Sequence, residues 1–270
     1  MNASAYWYCL LGVLGREFRR FVQQRSRFLS SLVRPLLWLV VFAAGFRAAL
    51  GIAIIPPYET YITYEVYIAP GLIGIIILFN GMQSSLSMVY DREMGSMRVL
   101  LTSPLPRGYL LLCKLFAGAA VSLAQVYAFL IIARFLDVDP PLIGYLAVMP
   151  ATLLSALMLG ALGLLLSSLI RQLENFAGVM NFVVFPLFFL SSALYPLWKM
   201  REASEWLYWI CAFNPFTHAV ELIRFALYGQ FNAAAFWITA GTTVLLTIAA
   251  IIGFDPGRGL LQRKGPPRPA

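Results

Sequence analysis

The chain has 270 residues, of which 60% are hydrophobic and 12% charged, with a formal net charge of +8 and a mean hydropathy of +0.78. A soluble domain carries roughly 25% charged residues, so this composition excludes disordered, fibrous and nucleic-acid-binding proteins and leaves apolar surface that only lipid can solvate. Cys9, Cys113 and Cys211 are too widely spaced for a metal motif or a disulfide framework, and the opening residues lack the cleavage pattern of a secretory signal.

In chain order, the first element is an amphipathic helix over residues 6–27. Trp7, Leu11, Leu14, Phe18 and Phe21 repeat at helical spacing along one face, and Arg16, Arg20, Gln23 and Arg27 lie on another. Such a helix is expected along the cytoplasmic membrane interface, with its basic groups toward anionic headgroups. Six apolar stretches then follow, each reaching the roughly 20 residues that cross the hydrocarbon core. They run from about residue 32 to 50, 66 to 89, 110 to 136, 142 to 169, 176 to 197 and 233 to 254. The expected fold is therefore all-α and integral to the membrane. It comprises an interfacial segment over 1–30, a six-span domain over 31–255 and a basic, Pro-rich tail over 256–270. Fifteen of the twenty Lys and Arg fall on the N-terminal segment, the 2–3 and 4–5 connections and the tail. The opposite side holds Arg47, Arg134, Lys199, Arg201 and Arg224 with seven of the twelve acids. The positive-inside bias then makes both termini cytoplasmic, as in a multi-pass bacterial inner-membrane protein.

The connection after the second span carries an amphipathic pattern from Asp91 to Thr102. Tyr90, Met94, Met97 and Leu101 share one helical face, and Asp91, Gly95, Arg98 and Thr102 the other, before Pro104 and Pro106 stop the helix. A partner-docking helix and an amphipathic loop lying on lipid both carry such a pattern. Between the fifth and sixth spans, residues 202–213 and 216–228 are apolar runs too short to span, rich in Trp and Tyr and separated by the Asn214-Pro215 turn. Two short helices dipping in from the outer face are expected there, either as a lid over a pathway or as simple interfacial packing. The only histidine, His218, stands one helical turn from Glu221 and two from Arg224, a spacing that brings the three together. A single His without other ligands points to a polar cluster tying these helices together rather than to a metal or catalytic site. Within the spans Asn80, Gln83 and Gln125 are neutral, and they are candidates for a pathway or a protomer interface, with ordinary interhelical hydrogen bonding as the alternative. Arg34, Arg47 and Lys114 lie near span ends, where they can snorkel.

The run Arg92-Glu93-x-Gly95-Ser96-x-x-x-Leu100-x-x-x-Pro104, followed by Lys114, resembles the signature of ABC-2 type transport permeases. Ser191-Ser192-Ala193-Leu194-Tyr195-Pro196-Leu197 is similar to that family's Ser-Gly-x-x-Phe-Pro stretch, with Ser192 where Gly is usual and Tyr195 where Phe is common. Asn214-Pro215 and Arg224 resemble its Asn-Pro…Arg pattern. The resemblance implies an exporter subunit whose coupling helix docks in a separate ABC ATPase subunit, with ATP and Mg bound there, and two permease chains forming a homodimer within the lipid. Arg92 and Glu93 would orient that helix; Met94, Met97 and Leu101 would pack it. Tyr195, Pro196, Asn214, Pro215, His218, Glu221 and Arg224 would belong to the external helices and gate. The region from Gly12 to Arg47 is further similar to permeases that accompany quinoprotein alcohol-oxidation systems.

The chain cannot build a Walker A loop, because none of its lysines, Lys114, Lys199 and Lys264, follows a glycine. The expectation is therefore a non-enzymatic chain with no cofactor or metal of its own. Its aromatic, mostly neutral spans fit amphiphilic small molecules, lipids or lipid-linked glycans as cargo. An ion-coupled secondary transporter and a membrane enzyme or assembly scaffold are the alternatives from other classes. The first would place ionisable groups near mid-membrane, and the second would form no complex with an ATPase.

Overall fold

A backbone surrounded by hydrocarbon must satisfy its own N–H and C=O groups, and a long run of apolar side chains does so as a helix. The computed structural model describes residues 3–23, 32–41, 56–58, 62–94, 105–170 and 172–254. Their regular structure is helical: α1 (Ala3–Gln23), α2 (Leu32–Val41), α3 (Tyr64–Glu93), α4 (Arg107–Ala133), α5 (Leu142–Leu169), α6 (Leu173–Phe189), α7 (Leu197–Ala203), α8 (Glu205–Phe213), α9 (Pro215–Leu227) and α10 (Ala233–Gly253). A 3-10 turn, Arg134–Leu136, ends α4.

Among the described residues, α3, α4 with its 3-10 turn, α5 and α10 are long and apolar enough to cross a membrane. These correspond to the second, third, fourth and sixth expected spans. The first is described only as far as Val41. The fifth is shorter than expected. Instead of running on to Leu197, α6 ends at Phe189 and is followed by the turn Ser191–Tyr195. At 17 residues it rises about 25 Å, against about 45 Å for the 30-residue α3.

The centre of the molecule is α5, which packs against α3, α4, α9 and α10. Its buried side is mostly small residues, among them Gly144, Ala151, Ser155, Gly160, Ala161 and Gly163. Small residues let helix backbones approach closely where lipid gives no hydrophobic drive to association. At the crossing with α3, a Cβ on Gly81 would come 3.1 Å from the Gly160 backbone. By contrast α10 buries only Ala235, Thr239, Thr243 and Ala250, a narrow stripe toward α5. Trp237, Val244, Leu245 and Ile248 on its other sides are exposed, a surface suited to lipid.

The N-terminal helix turns a different row inward from the one its strongest apolar repeat suggests. Trp7, Leu11 and Phe18 are exposed, whereas α1 packs on α4 through Tyr6, whose ring meets Tyr109 edge-on at 4.8 Å. The Tyr109 hydroxyl donates to the Tyr6 carbonyl at 2.6 Å. The helix thus has three faces: one on α4, one apolar and exposed, and one basic.

The external connection forms three helices rather than two. Ser204, with an extended backbone, separates α7 from α8, and Asn214 separates α8 from α9. Trp206, Trp209 and Phe213 of α8 are exposed, while α9 buries nine of its thirteen residues against α3, α5 and α10.

Candidate functional site

Three groups of the residues singled out above gather at three levels of the helix bundle. The first is the end of α3. This helix continues unbroken to Glu93, so Asp91, Arg92 and Glu93 form its last turn rather than the start of a separate helix, and Met94 follows in a turn. Gly95, Met97, Arg98, Leu101 and Pro104 lie outside the described residues. Two side chains of this turn meet other helices. Asp91 lies 4.0 Å from the Lys114 ammonium of α4, and Glu93 accepts a 2.9 Å hydrogen bond from the backbone N–H of Leu173, the first residue of α6. Lys114 does not snorkel. Its side chain is 6% exposed and donates to the Ser87 hydroxyl at 3.0 Å, because α3 offers an acceptor and a carboxylate on the side where α4 packs.

The second group is midway along α3 and α4. Asn80, Gln83 and Gln125 line one cavity of about 60 Å³, together with Ser84, Ser87 and Gly118 and with Glu17, Arg20 and Phe21 of α1. Asn80 donates to the Ser122 hydroxyl across the α3–α4 interface at 2.8 Å. The three amides thus line one cavity, and the Asn80 bond is the kind of interhelical tie that the alternative to a pathway or protomer interface expects. Sequence spacing did not point to α1 as the third wall.

The third group joins α3, α9 and the turn after α6. Arg224 is 2% exposed; it pairs with Glu221 and donates to the Ser192 carbonyl at 2.8 Å. Its guanidinium also lies 4.2 Å from the ring centroid of Tyr67. The Tyr67 hydroxyl donates to the same Ser192 carbonyl at 3.0 Å, and Tyr64 donates to that of Leu194 at 3.0 Å. Ser192 thus serves through its backbone, and its hydroxyl has no partner among the described residues. Tyr58 stands beside this cluster, and burial holds its hydroxyl far above the ordinary phenol range despite the nearby Arg224, so it is a neutral donor. It donates to the Val66 carbonyl at 3.5 Å, the acceptor left without a helical donor because Pro70 has no N–H.

His218 does not join the Glu221–Arg224 pair. Its Nε2 is 2.9 Å from the Ala212 carbonyl, tying α9 back to α8. Asn214 has two functions at once. Its carbonyl oxygen caps α9 by accepting from the Phe216 N–H at 2.9 Å, with Pro215 at the first helical position, where a missing N–H costs nothing. Its amide donates to the Leu187 and Leu190 carbonyls at 2.8 and 2.6 Å, satisfying orphan acceptors at the end of α6. Pro196 precedes α7 as its N-cap residue, and Tyr195 is half-buried against the core. Tyr64, Tyr67 and Thr217 were not singled out from the sequence. Thr217 donates to the Cys211 carbonyl at 2.7 Å and receives the Ser192 N–H at 3.4 Å. The recurrence of tyrosine at 58, 64 and 67, ahead of an otherwise aliphatic span, was the available signal.

A bundle of long apolar helices tied together by buried polar groups is the build of an integral membrane protein. The ABC-2 type transporter family model matches residues 9–228, and the chain belongs to that family. It is similar to a putative transport permease ycf38 of Cyanophora paradoxa, 29% identical over 254 residues, covering 87% of this chain and 84% of the relative. Nodulation protein J of Rhizobium leguminosarum bv. viciae is 23% identical over 255 residues, covering 91% of this chain and 92% of the relative. A probable multidrug ABC transporter permease, YbhR of Escherichia coli (strain K12), is 31% identical over 170 residues, covering 62% of this chain and 45% of the relative. The chain is thus a multi-pass transmembrane subunit of an ABC transporter, a family that pairs with ABC ATPase subunits.

Proposed function

We propose that the chain is the permease of an ATP-driven exporter, assembled as two copies with two ABC ATPase subunits, with both termini cytoplasmic. The observation that carries this reading is what the end of α3 touches where, in the sequence, the segment 92–104 begins. The segment leaves the end of α3, where Asp91 and Glu93 reach α4 and α6 respectively. A partner that grips the segment therefore acts on three helices together. ATP and Mg bound in the partner would drive its closure, and the segment would carry that movement into the membrane. For this to work the segment must contact the ATPase differently in its two states.

The polar cavity among α1, α3 and α4 supports passage of an amphiphilic cargo, because its amides and hydroxyls suit a polar head beside the apolar Phe21 and Val121. The exposed flank of α6, with Phe182, Phe185 and Phe189, supports pairing with a second copy. The test is purification of the tagged chain from its own membrane, with any bound ABC ATPase identified by mass spectrometry. Met97→Asp would place a carboxylate on the apolar docking face and is expected to lower ATPase recovery by about tenfold or more. Purification of an intact chain with no ATPase, or full recovery with Met97→Asp, would sink the reading.

A further inference from the structure

The helices themselves measure the depth of the cavity among α1, α3 and α4. Ser84, between Asn80 and Ser87 on its α3 wall, faces Gly118 of α4, where an added Cβ would come 3.5 Å from the Ser84 hydroxyl oxygen. From the start of α3 at Tyr64 to Ser84 the helix rises about 30 Å. From Gly118 to Leu136, where the 3-10 turn after α4 ends, the rise is about 27 Å. Both match the roughly 30 Å of a hydrocarbon core. The α1 wall agrees with that measure. Arg16, Arg19 and Arg20 are exposed along it, and such charges are costly in hydrocarbon. The cavity therefore opens at headgroup depth, on the cytoplasmic side in the orientation proposed above.

Its lining is polar and its charges balance. The helix α1 contributes one carboxylate, Glu17, and one guanidinium, Arg20, one helical turn apart. The other two helices contribute the amides of Asn80, Gln83 and Gln125 and the hydroxyls of Ser84 and Ser87. Glu17 pairs with Arg16 at 3.2 Å, but the Arg16 side chain is 57% exposed. Such a pair contributes little, so a ligand cation competes with it. The volume of about 60 Å³ is close to that of two waters in the liquid, which admits a small head group and not a sugar ring. A phosphate alone would set a second anion beside Glu17, whereas a head carrying phosphate and ammonium meets both charges. The apolar Phe21 and Val121 suit the glycerol and first methylenes behind it. The geometry points to a binding site for a phospholipid whose head carries both a phosphate and a primary ammonium, with Arg20 taking the phosphate and Glu17 the ammonium. This names the head group for the amphiphile of the reading above, and it rests on that reading only in calling the lipid cargo.

The test uses the full chain, purified in neutral detergent with or without a bound ATPase. Phosphatidylethanolamine and phosphatidylglycerol with matched acyl chains are added in equal amounts, and retained lipid is read by native mass spectrometry. The parent is expected to hold one phosphatidylethanolamine in about tenfold preference, as one charge-assisted hydrogen bond provides. Glu17→Gln should abolish the preference, and Arg20→Gln should lower retention of both lipids severalfold. Arg19→Gln, an exposed arginine outside the lining, should change neither. Soluble O-phosphoethanolamine at the same concentration is expected to leave the lipid in place. A parent that holds neither lipid or prefers phosphatidylglycerol, or a preference that survives Glu17→Gln, overturns the site. Displacement by O-phosphoethanolamine would make the ligand a soluble one and overturns the lipid. A chain that carries no ATPase sinks the exporter reading and leaves the retention result standing, so the two fail separately.

Discussion

At the scale of single residues, Arg224 shows how a charge becomes tolerable in an apolar bundle. Its desolvation is offset by Glu221, by the Ser192 carbonyl and by the face of Tyr67. Removing one partner of such a buried pair leaves the other uncompensated. Arg224→Ala is therefore expected to cost about 3–5 kcal/mol, read as a lower melting temperature in detergent, and Tyr67→Phe about 1 kcal/mol. Equal effects from the two variants would show that the guanidinium is not the keystone. The Asn-Pro…Arg spacing made Asn214 and Arg224 visible in the sequence. It did not reveal what they hold, because their acceptors are backbone carbonyls of Leu187, Leu190 and Ser192, and any residue supplies a carbonyl. His218 illustrates the converse. Helical spacing placed it with Glu221 and Arg224, yet the carbonyl of Ala212, on the preceding helix, is its partner.

Among elements, close backbone approach matters more than side-chain bulk. The first turn of α5 lies against the end of α9, where a Cβ on Gly144 would overlap the Leu227 carbonyl. Gly241 in α10 has nothing within 4 Å of the equivalent point. Gly144→Ala is accordingly expected to destabilise by about 1–3 kcal/mol, while Gly241→Ala stabilises by about 0.5–1 kcal/mol through lost chain freedom. Thermal melting of the two variants checks the contrast, and shifts of the same sign would refute the packing argument. The long apolar helices were legible because each is one continuous hydrophobic run. The ends of α3 and α6 were not. Residues 90–93 prolong α3 because Asp91 and Glu93 find partners on α4 and α6, and α6 stops at Phe189 where Asn214 and Ser191 supply donors to its last carbonyls.

For the whole molecule, the uneven distribution of Lys and Arg predicts the orientation. In right-side-out membrane vesicles of a cysteine-free background, a membrane-impermeant maleimide is expected to label Glu202→Cys and Asp137→Cys directly. Arg107→Cys and Glu174→Cys should label only after permeabilisation. The reverse pattern would invert the assignment of both termini.

By itself the sequence determined the solvent, the helical class and the family. Those depend on total apolar area, on run length and on residue types at fixed spacing, all of which are local properties of the chain. Tertiary structure alone decided which of the few polar groups meet. It turned Lys114 inward to Ser87 and Asp91, made α1 a wall of the Asn80–Gln83–Gln125 cavity, and gave Glu93 the end of α6. The reason is physical. In a lipid-solvated bundle every buried polar group needs a partner, and most available partners are backbone groups whose positions exist only once the helices have packed.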